Sequence, residues 1–91
     1  EAVRWEEFRC LHLAFEAGRQ GGTFPTALVA ADEIAVARFL AGDIRFGTIP
    51  GIIEEVLEKH SSDVIRHPDI AAIKWVDKWA RNAANLIADK I

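Results

Sequence analysis

At 91 residues the chain is long enough for one domain, residues 1–91, near the lower end of what folds without disulfides or metals. An apolar fraction of 51% beside 27% charged residues excludes a disordered chain, and a formal charge of −3 with no basic stripe argues against nucleic acid as a partner. Cys10 is alone, so no internal disulfide can form, and no apolar run approaches the roughly 18 residues that would cross a bilayer, so no membrane partner is expected.

In chain order, the spacing of apolar residues predicts a first helix over Glu6 to Arg19, with Phe8, Leu11, Phe15 and Gly18 on one face. Gly21-Gly22 ends it. Thr23 is placed to cap a second helix with Pro25 in its first turn, running to about Ala41. Ala27, Ala31, Ile34, Ala35 and Phe39 recur at helical spacing there, and so many alanines imply close approach to a neighbour. Gly42 is a left-handed stop. Ile44-Arg45-Phe46 reads as a short extended stretch. Thr48 then caps a third helix, with Pro50 in its first turn and Glu54 and Glu55 near its positive end. Ile52, Ile53, Val56 and Leu57 face the core, and the helix ends around Lys59 or His60. A loop follows, and His67-Pro68-Asp69 starts a last, longest helix reaching about Ala88. Short loops between helices predict an all-α four-helix bundle. The chain opens at Glu1 without an initiator Met or signal peptide, as a piece cut from something longer would.

The last helix carries two apolar stripes. At about 100° per residue, Ile70, Ile73, Ala80, Ala84 and Ile87 share one face, while Trp75, Trp79 and Leu86 share another roughly 150° away. The tryptophans are therefore either core residues or an exposed contact patch. Tryptophan is enriched at binding hot spots, so the patch reading points to another protein as partner. Asp77 and Lys78 lie between the rings, and Trp5 and Arg9 would join them if the first helix lies alongside. The same stripe could also form a symmetric homodimer.

Other constellations offer little chemistry. His60-Ser61-Ser62-Asp63 has the residue types of a hydrolytic triad, but adjacent loop residues rarely reach triad geometry. His60, Asp63 and His67 lack a recognisable metal-ligand spacing. Glu6-Glu7 and Glu54-Glu55 suit first turns better than a catalytic cleft. Gly18-Arg19-Gln20-Gly21-Gly22-Thr23 lacks the phosphate-loop pattern and a preceding strand. Cys10 reads as a small packing residue and His12 as a surface or boundary residue. No catalytic residue, metal ligand or cofactor site is assigned, and no cofactor is expected.

Several segments, in order, carry a resemblance: Cys10-Leu11-His12-Leu13-Ala14-Phe15-Glu16-Ala17-Gly18, Gly21 to Leu40, Ile44-Arg45-Phe46 through Ile49-Pro50, Ile53 to His60, and Val76-Asp77 with Ala80-Arg81. Together they are similar to the C-terminal domain of 1-deoxy-D-xylulose 5-phosphate reductoisomerase, an enzyme of isoprenoid precursor synthesis. The resemblance implies a helical module that supports a central domain holding metal and catalytic residues, next to a domain holding NADPH. None of the family's catalytic or metal positions has a counterpart here. The resemblance also exposes departures. The family's Leu-Asn-Ala-Ala-Asn-Glu reads Leu28-Val29-Ala30-Ala31-Asp32-Glu33, Val3-Arg4-Trp5 replaces Pro-Asp-Leu, and Arg9 replaces the Pro before the Cys. The last helix reads Ala71, Ala72, Lys74, Trp75, Lys78 and Trp79 at positions usually small, apolar or acidic. Asp77-Lys78-Trp79-Ala80 further resembles the core of the membrane-proximal epitope of the HIV envelope protein.

These readings lead to a non-catalytic, protein-binding helical domain, isolated and resurfaced as a designed scaffold with a Trp-rich patch. Its candidate binding residues are Trp5, Arg9, Trp75, Asp77, Lys78 and Trp79. The alternatives are a natural fragment that docks on its parent enzyme, cytoplasmic in that case, and an epitope scaffold presenting Asp77 to Ala80 to an antibody.

Overall fold

The computed structural model describes the backbone from Ala2 to Ile91 and the side chains of Arg9 and of residues 11–91. Four helices follow one another: α1 (Ala2–Gln20), α2 (Phe24–Leu40), α3 (Ile49–His60) and α4 (Ile70–Asp89), with a 3-10 turn over Phe46–Thr48 leading into α3. No strand occurs among the described residues, and the all-α four-helix bundle expected from the sequence is the fold.

Helix α2 is the shared neighbour, packing against α1, α3 and α4. Its composition explains the role. Ala27, Ala30, Ala31 and Ala35 are fully buried, and small side chains on several sides of one helix let three backbones approach it. The larger partners come from outside: Ile52, Ile53 and Val56 of α3 and Val76 of α4 fill the space between. Each such buried aliphatic contributes roughly 1.5–3 kcal/mol relative to leaving it in water. Two arginines clamp α2 and α4 at the surface. Arg38 donates to Asn85 and Asp89 of α4 as well as to Asp43, and Arg81 of α4 donates to Glu33 of α2 and to Asp77.

The glycine stops work as their chemistry predicts. Gly42 adopts a φ of 84° after α2, its N–H donating to Phe39 O while Asp43 N–H reaches back to Arg38 O, a Schellman closure. Asp69 caps α4, its side chain accepting the Ala72 N–H at 2.8 Å.

Other expectations are corrected. Neither Thr23 nor Thr48 makes a side-chain cap bond. Thr48 closes the 3-10 turn with helical backbone angles instead of the extended ones usual for a capping residue. The Thr23 hydroxyl is engaged elsewhere, as described below. Arg45 is extended, but Phe46 already belongs to the turn. The largest correction concerns α1. Leu11 and Phe15, on the face read from the apolar spacing, are 65% and 68% exposed, while Leu13 and Ala17 are buried. Leu11 and Leu13 are about 200° apart around a helix, so the two stripes lie on opposite sides. The slimmer Leu13/Ala17 stripe faces the bundle. Phe8 and Trp5 lie outside the residues whose side chains are described. In α4, Ala80, Ala84 and Ile87 of the predicted face are buried, while Ile70 and Ile73, on the same face nearer the helix start, are exposed.

Candidate functional site

A groove of about 440 Å³ opens between α1, α2 and the turn into α3. Because α1 turns its Leu13/Ala17 side inward, Leu11 is left on the rim. Helix α2, having spent its alanines on the core, contributes Val29, Asp32 and Val36, and the 3-10 turn brings Phe46 to the opposite side. Leu11, Val29, Val36 and Phe46 are all exposed, so the wall is an uncovered apolar surface. Asp32 is the charged residue in it. Partial burial and then the adjacent Glu33 push its carboxyl above the ordinary value. Among the described residues the groove offers apolar contact with one acidic point and no nucleophile, base or pair of facing carboxylates. Sequence reasoning missed it because helical spacing placed Leu11 on a face without showing that Val29, Val36 and Phe46 of other elements meet it.

Among the described residues, the predicted binding residues differ in exposure and in partners. Trp75 is 59% exposed on α4, with the exposed Lys74 and Lys78 beside it. Trp79, one turn later, turns inward and packs against the core, its ring tilted at 37° over His60 with 5.4 Å between centroids. Asp77 accepts from Arg81 Nε at 3.0 Å. Ala80, the last residue of the epitope-like tetrapeptide, is fully buried. Arg9 is tied to Glu54 of α3 by a 3.1 Å ion pair, and α1 packs on α2 and α3. The side chain of Trp5 lies outside the described residues.

The polar residues singled out in the sequence take structural positions. Ser61 Oγ donates to the Glu58 carbonyl, Glu55 pairs with Lys59, and His12 is exposed. Gly21 and Gly22 form the α1–α2 turn with positive φ. The side chains of Glu6, Glu7 and Cys10 lie outside the described residues. Among the described residues no three His, Cys, Asp or Glu side chains group as metal ligands, and no helix is long and apolar enough to cross a membrane.

Comparison with known proteins places this geometry. A family model for the DXP reductoisomerase C-terminal domain matches residues 1–83. The chain belongs to that family. The 1-deoxy-D-xylulose 5-phosphate reductoisomerase of Acetivibrio thermocellus is 56% identical over 81 residues, 89% of this chain and 21% of the relative. That of Bacillus subtilis is 47% identical over 87 residues, 96% of this chain and 22% of the relative. That of Moorella thermoacetica is 45% identical over 84 residues, 92% of this chain and 21% of the relative. The chain thus spans about a fifth of the length of these curated relatives. No solved structure matches it. Within this reductoisomerase C-terminal domain, Val29 and Asp32, the two departures from the Leu-Asn-Ala-Ala-Asn-Glu pattern, both line the groove.

Proposed function

We propose that this reductoisomerase C-terminal domain is a non-catalytic docking module, and that the groove between α1, α2 and the turn into α3 receives the remainder of a reductoisomerase chain. The observation that carries the reading is the apolar wall of Leu11, Val29, Val36 and Phe46, left uncovered in a domain that corresponds to a fifth of its relatives' length. An apolar patch of this kind on a soluble domain marks an interaction site. The module itself supplies no reacting group; it fixes the position of the chain that does. The test uses the Bacillus subtilis relative shortened by its matching C-terminal part. Mixed with this chain, the shortened enzyme gains a co-eluting complex and turnover in the presence of NADPH and a divalent metal, and Val29→Asp abolishes both. A complex that survives Val29→Asp would place the contact elsewhere.

A second reading is favoured by Val29 and Trp75. If the family's Asn positions serve the parent contact, replacing one with Val removes a polar partner from the groove. An exposed Trp75 between Lys74 and Lys78 adds an anchor unrelated to that groove. Under this reading the domain is a resurfaced scaffold for an unrelated protein or an antibody. The shortened enzyme then gains nothing from it, and binding of the other protein is lost on Trp75→Ala.

A further inference from the structure

His60 ends α3, where a helix exit would ordinarily leave it in water, yet it is 1% exposed. Its Nε2 lies 2.7 Å from Thr23 Oγ1, and the same oxygen accepts the backbone N–H of Ile65 at 3.0 Å. Phe24 meets the imidazole edge-on at 5.8 Å and Trp79 of α4 covers it at 5.4 Å. The α1–α2 turn closes from the other side. Gly22 approaches the loop so nearly that a Cβ there would stand 2.5 Å from the Ile65 carbonyl oxygen. The loop between α3 and α4 is therefore fastened to the α1–α2 turn through one buried hydroxyl, and that hydroxyl's second partner is a titratable ring.

A threonine hydroxyl has one proton to give and two lone pairs. With Ile65 N–H using one lone pair, Thr23 can donate its proton to an unprotonated Nε2, and the hydroxyl and Nε2 are satisfied together. This requires the neutral imidazole with its proton on Nδ1. Protonating the ring makes Nε2 a donor, leaves the Thr23 proton without that acceptor in a buried site, and puts a charge where water is excluded. We propose that Thr23, His60 and Ile65 form a latch that holds the 61–69 loop on the α1–α2 turn while His60 is neutral and releases it when the ring is protonated.

The surroundings favour the neutral ring. The turn and α2 present the uncharged Thr23 and Phe24, and α4 presents Trp79. From the loop, Asp63 acts on the ring and favours the cation. Burial outweighs it and holds the imidazole below the ordinary histidine value. Release is local, since the backbone bonds within α3 and α4 do not pass through the latch.

Amide hydrogen exchange and imidazole NMR, followed together from about pH 8 to about pH 5, test this. The protection factor of the Ile65 amide is expected to fall about tenfold or more with the same midpoint as His60, below 6.5, while Val56 and Val76 amides stay protected. Thr23→Val removes Ile65 protection at every pH, and Thr23→Ser retains both the protection and its pH dependence. Ile65 protection that ignores the titration of His60, or survives Thr23→Val, overturns the latch. So does a loss of protection shared with Val56 and Val76, which would mean global unfolding. Should Thr23→Val not fold, the parent titration and Thr23→Ser decide alone.

Discussion

Trp79 lies across the imidazole of His60 at 5.4 Å between ring centroids, while Trp75, one turn earlier on the same helix, stands 59% exposed. The two rings therefore have different energetic roles. Trp79→Ala opens space beside a buried histidine and is expected to cost about 2–3 kcal/mol, below the roughly 3–5 kcal/mol of a fully buried tryptophan. Trp75→Ala is expected to stay within about 0.5 kcal/mol. Urea unfolding of the two single variants separates them, and equal losses would contradict the packing of α4.

The tight approach of Gly22 to Ile65 makes the glycine irreplaceable at that point. Its φ of 59° already disfavours any side chain, and the added methyl would collide with backbone, which cannot swing aside. Gly22→Ala should lose well over about 1 kcal/mol. Gly18, inside α1 with open space where a Cβ would go, gives the opposite sign: Gly18→Ala should gain about 0.5–1 kcal/mol. Thermal melts of the pair check both signs.

Much of this architecture could be read before folding. Helix existence followed from the glycines at 21, 22 and 42, the prolines at 25 and 50, and the His67-Pro68-Asp69 start, which are local backbone chemistry. The alanine face of α2 and the Ile52/Ile53/Val56 face of α3 followed from period. On α1 the spacing named the Leu11/Phe15 face and missed the Leu13/Ala17 stripe that packs inward, because periodicity gives a face but not which neighbour wants it. Thr23 failed for a related reason. As a local signal its hydroxyl reads as a cap, yet a bond to His60, 37 residues away, claims it. The groove was invisible because Leu11, Val29, Val36 and Phe46 come from three separate elements, and only tertiary packing brings them together.

The inversion of α1 is itself testable. If Leu13 is the inward residue, Leu13→Ala should cost about 2–4 kcal/mol, within the usual range for a buried leucine. Leu11→Lys and Phe15→Lys should each change stability by no more than about 0.5 kcal/mol. Chemical denaturation of the three variants is sufficient. A large loss at Phe15 together with a negligible one at Leu13 would return the aromatic stripe to the core and remove the exposed wall on which the docking surface depends.

The titrations of buried His60 and of partly covered Asp32 should tilt stability in opposite directions with pH. Because burial holds His60 below 6.5 in the folded chain, the unfolded chain binds its proton more tightly. Stability is therefore complete above the unfolded value, falls as the pH drops below about 6.5, and levels off once the folded ring also protonates. Asp32 runs the other way. Its folded carboxyl is raised above 3.8, so the folded chain takes up the proton first and stability is gained as the pH falls through that range. His60→Gln should flatten the fall that begins near pH 6.5 while leaving the Asp32 contribution in place. Asp32→Asn should raise stability at neutral pH and remove the gain at lower pH, since the amide carries no charge to desolvate. Urea midpoints across the pH range read both effects, and a His60→Gln variant with the parent's slope near pH 6 to 6.5 would show that the buried ring is not its source.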